Sequence, residues 1–304
     1  WPMPASAGCI SNPWLGPWQP PQCLAHACEF LQCVYLFPPL GFQIMELMEL
    51  PPLLSLLLPL HRPRLDHLEQ LLASLPLDQP EVELVVGINP LPSAPSVNLR
   101  SWLANWRQGA SWKIVENPRP YGVNAHFYLL QKMSRGIWLA PVDQDDRWQP
   151  ARWQALQPQL RDLQRQNRPL LLAGNPQLCN SDLEWLADPL TRFSLQPLLN
   201  TPLGLRWLRA FVFNPVPGCC CFYSRPLLER LGWPAAQPFT PYYDHQLMLR
   251  ALVSPHCAVE ALQAPSVDWR RHEGCVSGSK LAWFALLLDR CRLLAALIFP
   301  YLRS

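Results

Sequence analysis

The chain has 304 residues, of which 49% are apolar and only 15% charged, and its net charge is +3. That length buries a large core and suits one big α/β domain or two closely packed halves. The charge balance is too small to imply a nucleic-acid partner, and the low charged fraction points to a protein that works near a membrane or against a partner.

Residues 1–52 are rich in Pro and Trp and keep no steady period, so they are expected to be an irregular extension or sequence upstream of the true start. The apolar run from Phe30 to Leu60 is broken by Pro38, Pro39, Pro51 and Pro52 and carries Glu46 and Glu49. It lacks the basic start and cleavage pattern of a signal peptide, and no segment gives the ~20 uninterrupted apolar residues that span a bilayer.

From residue 53 the pattern sharpens. "LLSLLLPLH" reads as a buried strand, and Pro63 suits the first position of a helix carrying Leu65, Leu68, Leu72 and Leu75 on one face. Strands follow at Glu81–Val86, Trp112–Val115 and Gly136–Val142. Helices lie between them at Val97–Gln108 and Asn124–Ser134. This alternation implies a mainly parallel sheet with right-handed crossovers, in which ligands bind beyond the carboxyl ends of the strands.

The second half continues with a helix over Pro150–Gln166, a strand over Pro169–Ala173 and a loop, "AGNPQLCNSDLEWL". A long, mostly helical stretch is expected over Leu190–Phe211. After it, "NPVPGCCCFYSRPLLERLG" reads as a loop, a short strand and a helix. "DHQLMLRALVS" is a helix opening with Asp244, and "PSVDWRRHEGCVSGS" a strand ending in a polar loop. Residues 281–300 read as a strongly apolar helix punctuated by Asp289, Arg290 and Arg292. The cysteines show no CxxC pair and no zinc spacing, so they are expected to be reduced, mostly buried thiols of a cytoplasmic protein.

The chemistry concentrates in "APVDQDDRW", where Asp143, Asp145 and Asp146 follow the fourth strand. Crowded carboxylates repel, and oxygen-seeking Mg²⁺ or Mn²⁺ relieves such crowding. The plainer alternative is a solvated acidic turn that caps the next helix.

The segment "ENPRPYGVNAHFYLLQKMSRGIWLAPVDQDDRW" resembles family-2 glycosyltransferases of the bacterial rhamnosyltransferase-like branch. Gly122, Gly136, Asp143, Gln144, Asp145, Asp146 and Trp148 match its pattern, with Asn124 and Phe127 looser in spacing. Later blocks recur in the family's order: "NSDLEWL", then Gly218, Cys219, Phe222 and Arg225, then Asp244, then Arg270, His272, Val276 and Gly278.

The resemblance implies an α/β, Rossmann-like GT-A (nucleotide-diphospho-sugar transferase) fold, with a mainly parallel central sheet flanked by helices. It implies inverting, metal-dependent transfer of a sugar, rhamnose among the candidates, from a nucleotide-sugar donor to a cell-surface glycan or lipid-linked acceptor. On that reading Asp143, Asp145 and His272 hold Mg²⁺ or Mn²⁺, and Asp244 is the general base. Asn89, Gly122, Asp143 and Arg270 line the donor site. The family's carboxylate after the second strand is missing: the stretch is "LVVGINPLPSAP", with Asn89 its nearest polar substitute.

The expected organisation is an extension at 1–52, a GT-A domain at 53–280 and an apolar C-terminal helix at 281–304. Within the domain, 53–146 would form the nucleotide-sugar half and 147–280 the acceptor half. The protein is expected to be cytoplasmic, with peripheral contact to the inner membrane through 281–300. The worn nucleobase motif keeps open a non-catalytic binding protein of the same fold. A phosphohydrolase using the acidic cluster is the more distant alternative, since the DxDxT nucleophile signature is absent.

Overall fold

The computed structural model describes residues 50–90, 98–106, 110–186, 195–233 and 242–271, together with Arg290, Cys291 and Leu294. Residues 1–49 of the extension expected at 1–52, His272 and, apart from those three residues, the expected helix at 281–300 lie outside the described residues.

Four parallel strands build the first half: β1 (Leu54–Leu60), β2 (Val82–Ile88), β3 (Ser111–Glu116) and β4 (Trp138–Pro141). β1 is the hub. It pairs with β2 from Leu54↔Val82 to Leu60↔Ile88 and with β4 from Leu54↔Trp138 to Leu57↔Pro141. β2 is buried along its whole length and β1 nearly so, which is why both read as continuous apolar runs rather than alternating ones.

Three helices connect these strands. α1 (Leu65–Ser74) buries Leu68, Leu71 and Leu72 and starts after Arg64, two residues later than Pro63 had indicated. α2 is the short Leu99–Ala104, its N-terminus capped by the Asn98 side chain. α3 (Val123–Met133) buries His126, Phe127 and Leu130.

The second half adds β5 (Arg147–Trp148), α4 (Arg152–Gln164), β6 (Leu170–Ala173) and β7 (Gln177–Cys179). The mostly helical stretch expected over Leu190–Phe211 holds two helices among its described residues, α5 (Leu195–Leu199) and α6 (Leu203–Val212), separated because Pro202 cannot continue the first. A 3₁₀ turn (Gly218–Cys220) leads into β8 (Cys221–Ser224) and α7 (Arg225–Leu231). The described chain then runs through α8 (Tyr243–Val253), β9 (Ala258–Ala261) and β10 (Val267–Arg270).

The main sheet has the order β3-β2-β1-β4-β8-β6-β9, with β8 antiparallel to both neighbours and the other pairings parallel. A small second sheet, β5-β10-β7, packs residues just beyond β4 against the end of the described chain. Two of its strands escape sequence reading: β5 pairs only two residues, β7 was taken as loop, and neither has an apolar period.

A buried polar knot fixes the spacing of β1, β2 and the entry to β4. The Ser55 hydroxyl donates to Glu83 Oε2 at 2.5 Å, the Arg135 N–H reaches the same oxygen at 2.8 Å, and the Gly136 N–H donates to Ser55 Oγ at 2.8 Å. A side chain at Gly136 would run into the backbone of Ser55, so glycine is required there. Glu83 is only 1% exposed, and its removal strands two buried donors. Glu83→Ala is therefore expected to lower the unfolding free energy by about 3 kcal/mol in urea titrations. A loss below about 1 kcal/mol would mean the knot does not hold the strands.

Candidate active site

β2 and β3 lie on one side of β1, and β4 on the other. The chain reverses its direction of travel there, and at such a point the loops beyond the strand ends splay apart to leave a crevice. The acidic segment leaves β4 directly into it. Val142 N–H still bonds the Leu57 carbonyl at 2.9 Å, and the chain turns at Asp143–Asp146 before β5 begins. Gln144 ties this turn to the end of β1: its amide accepts from His61 N–H at 2.9 Å and donates to the His61 carbonyl at 3.0 Å. Gln144 thus sets the position of its neighbours.

The acids then separate into different environments. Asp146 is 2% exposed, and its Oδ1 accepts the Arg270 backbone N–H at 3.1 Å. Asp143 and Asp145 are half-buried. The ligand atoms of Asp143, Asp146 and Cys219 lie within 4.8 Å of one another, a spacing that one ion can bridge. Cys219 reaches this place because the 3₁₀ turn presses on the start of α8: a Cβ at Gly218 would overlap the Tyr243 hydroxyl. Tyr243 is held in turn by Asn124 Oδ1, which accepts its N–H at 2.9 Å, and by the Phe127 ring at 4.5 Å.

Asp244 enters from α8 as the helix's second residue, with Tyr242 at the N-cap. It is therefore inside the first turn and not the helix's N-cap. Its Oδ1 accepts the His245 N–H at 2.8 Å and its Oδ2 the Asn214 amide at 2.9 Å.

Crowding shows in the protonation. Burial, then the charges of Asp145 and Asp244, push Asp143 up to about 7. Burial, then Asp143 and Asp145, raise Asp146 well above the carboxylate range. Burial brings Asp244 to about 6 against the pull of its hydrogen bonds. The Cys219 thiol is raised as well, first by its hydrogen bond with Cys220 and then by burial, and so stays protonated. A divalent cation fits this donor set through the carboxylates, since hard ions take oxygen ligands and a protonated thiol is a poor one.

The other expected donor-site residues fall into two places. Asn89 is 3% exposed, and both ends of its side chain are engaged: Nδ2 donates to the Tyr121 carbonyl at 2.9 Å, and Oδ1 accepts from Tyr121 N–H and Asn117 Nδ2. It lines a cleft of about 370 Å³ with Asn117, Glu116, Asn98 and Arg100. Asn117, unmarked by the sequence reading although it directly follows β3, is 5% exposed, and its Oδ1 has no hydrogen-bond partner. Its Nδ2 also meets the ring of His126, which burial brings down to about 4 and keeps neutral.

Gly122 caps α3 with open space where a side chain would stand. Arg270 is 1% exposed and lies behind the acids, its guanidinium donating to Gln70 at 2.6 Å and its charge acting on Asp146 and Asp145. The fold thus gathers Asp143, Asp145 and Asp244 with Asp146 and Cys219, which the sequence had marked without a site role, and with the unmarked Asn214, while Asn89 sits in the neighbouring cleft.

No family model matches the sequence, and no curated protein matches it. Among solved structures the chain is similar to S. aureus TarS 1-349 in complex with UDP-GlcNAc, with a TM-score of 0.57 and 15% identity over 81% of this chain and 66% of that one. A second structure of TarS 1-349 gives 0.51 and 14% over 71% and 59%. The UDP complex gives 0.50 and 13% over 72% and 60%. The chain thus spans about two thirds or less of the TarS chains it matches. The likeness establishes the fold class: GT-A, α/β with a mainly parallel central sheet flanked by helices.

The raised carboxylates make stability depend on pH. A carboxyl whose folded value is raised contributes stability that is fully present below about 4 and is lost as pH rises through about 7 for Asp143. The melting temperature of Asp143→Asn should therefore gain on wild type between pH 4 and pH 8, and Mn²⁺ should stabilise wild type but not the variant at pH 8. A difference that stays flat across this window would contradict the crowding.

Proposed function

We propose that this chain transfers a sugar, with inversion, from a nucleoside-diphosphate donor to a hydroxyl acceptor. The observation that carries the reading is the convergence of Asp244, from α8, on Asp143, from the end of β4, at the crevice beside β1. Two acids from separate halves of the fold face one space, and one of them, at about 6, is matched to proton abstraction near neutral pH. The UDP-GlcNAc and UDP bound to TarS support a nucleotide-sugar as the donor for this fold.

Asp143 and Asp146, whose carboxylate oxygens lie within 4.8 Å of one another, would hold Mg²⁺ or Mn²⁺, with Asp145 beside them as the ligand that the sequence resemblance adds. When bound, the cation neutralises charge on the departing diphosphate. Asn214 and the His245 N–H fix the Asp244 carboxylate, leaving its remaining lone pairs for the acceptor's hydroxyl proton. The cleft beyond β2 and β3, lined by Asn89 and Asn117, would take the nucleobase, the place that the sequence had given to Asn89. A rhamnosyl donor and a cell-surface glycan or lipid-linked acceptor rest on the sequence resemblance alone.

A binding protein without catalysis is the second reading. It draws on the missing carboxylate after β2 and on Asn89 being wholly engaged by Tyr121 and Asn117. One variant separates the two. Asp244→Asn should keep binding UDP with Mn²⁺ and lose sugar transfer by about 10²- to 10⁴-fold, the scale for one general base. Transfer at the wild-type rate would remove Asp244 from the chemistry. UDP-sugar binding by wild type without turnover on any acceptor would favour the binding protein.

Asp145→Ala is expected to abolish Mn²⁺-dependent UDP binding in calorimetry without unfolding the chain. Metal-dependent binding that survives unchanged would take Asp145 out of the ion's shell.

A further inference from the structure

α6 has an apolar face turned outward. Its inner side is set by Ala210, which is fully buried and whose carbonyl meets the His245 ring at 2.6 Å. Trp207 and Phe211 stack at 5.1 Å on the flank. Opposite Ala210 stand Leu205, 54% exposed, Leu208, 53% exposed, and Val212, 41% exposed, with Leu203 and Phe213 also exposed at the two ends. The first three recur at helical spacing and form one stripe where a surface helix normally carries polar side chains.

Charge identifies what the stripe faces. The charges on α6 are Arg206 and Arg209, and the sequence has no Asp or Glu from 189 to 228. Arg206 is held at the N-terminal end by the carbonyls of Thr201 and Leu199, at 2.9 and 2.6 Å, and Arg209 is exposed beside the stripe. Arg290 adds a cation at the C-terminal end, donating to the Val212 carbonyl at 3.2 Å. Leucines and a phenylalanine flanked, among the described residues of this stretch, by arginines match an anionic bilayer surface, where the apolar stripe enters the headgroup boundary and the guanidinium groups meet phosphate. A second copy on the same face would set arginine against arginine with no carboxylate in this stretch to pair them.

We propose that α6 is a membrane-docking element that lies on anionic phospholipid through Leu205, Leu208, Val212 and Arg209. Docking there also orients the crevice, because Asn214, two residues beyond α6, holds the Asp244 carboxylate. The proposal is independent of sugar transfer and is read by a separate assay.

The test is flotation of the full chain with phosphatidylcholine vesicles, either pure or containing about 30% phosphatidylglycerol. The chain should rise with the anionic vesicles, stay behind with the neutral ones and be released at about 0.5 M salt. Leu205→Glu with Leu208→Glu should lower vesicle partitioning at least about tenfold at an unchanged melting temperature, since both side chains already face outward. Arg209→Gln, which leaves the stripe intact, should weaken anionic binding alone. Wild type that ignores anionic vesicles, or a double variant that floats like wild type, would overturn the proposal. So would a double variant whose only change is a dimer turned monomer, which would assign the face to a second copy.

Discussion

The fold and its crevice depend on one constraint, the double pairing of β1. A strand buried on both faces and bonded in parallel to β2 and β4 must send its successor strands to opposite sides. The loops beyond those strands cannot close over its end. This is how a sheet built from apolar runs comes to hold acids: every carboxyl-terminal loop on the β4 side empties into the same gap. The Ser55–Glu83–Arg135 knot keeps the entry to β4 in register with β1, so the turn at Asp143–Asp146 emerges at a fixed height. The Gln144–His61 pair then fastens that turn on the crevice side.

The carboxylates gathered there carry an electrostatic cost that the described protein does not remove. Arg270 acts on Asp145 and Asp146 from behind, yet Asp143 and Asp244 stay raised, by burial first. A purely structural buried acid would be expected to be neutralised by a cation, as Asp268 is by Arg147 at 2.6 Å. Acids held half-buried at a strand-end crevice, with their ionised forms disfavoured, are poised for a cation or a proton. Gly218 makes the arrangement possible, since only the bare backbone lets the 3₁₀ turn rest against Tyr243 and bring Cys219 beside Asp143 and Asp146.

Much of this was legible in the sequence, and the limits are physical. The strands β1, β2, β4 and β6 stood out because deep burial demands unbroken apolar runs, while β3, only partly buried, was read from the alternation of strands and helices. β5 and β7 did not, because two- and three-residue pairings leave no period and take their partners from distant parts of the chain. The break between α5 and α6 was signalled by Pro202 but outweighed by the leucines on either side. Asp143, Asp145 and Asp244 were found through the order of their sequence blocks. Asp146 lay in the same motif, but nothing local says that one acid of three turns inward onto Arg270. Cys219 stood in a matching block, but its place beside the acids, like the role of Asn117, became visible only once the fold had placed them, since such proximity is tertiary. Asn89 was chosen for its place after β2, yet Tyr121, supplied by the loop beyond β3, takes up its hydrogen bonds.

The central claim is that the crevice at β1 and β4 joins a diphosphate to a divalent cation through the crowded carboxylates. Calorimetric titration of UDP into the full chain, at about pH 8 where Asp143 and Asp244 are ionised, tests it most directly. The account predicts clear UDP binding with Mn²⁺ and its loss when EDTA replaces the metal. UDP binding of equal strength under both conditions, or none under either, would contradict it.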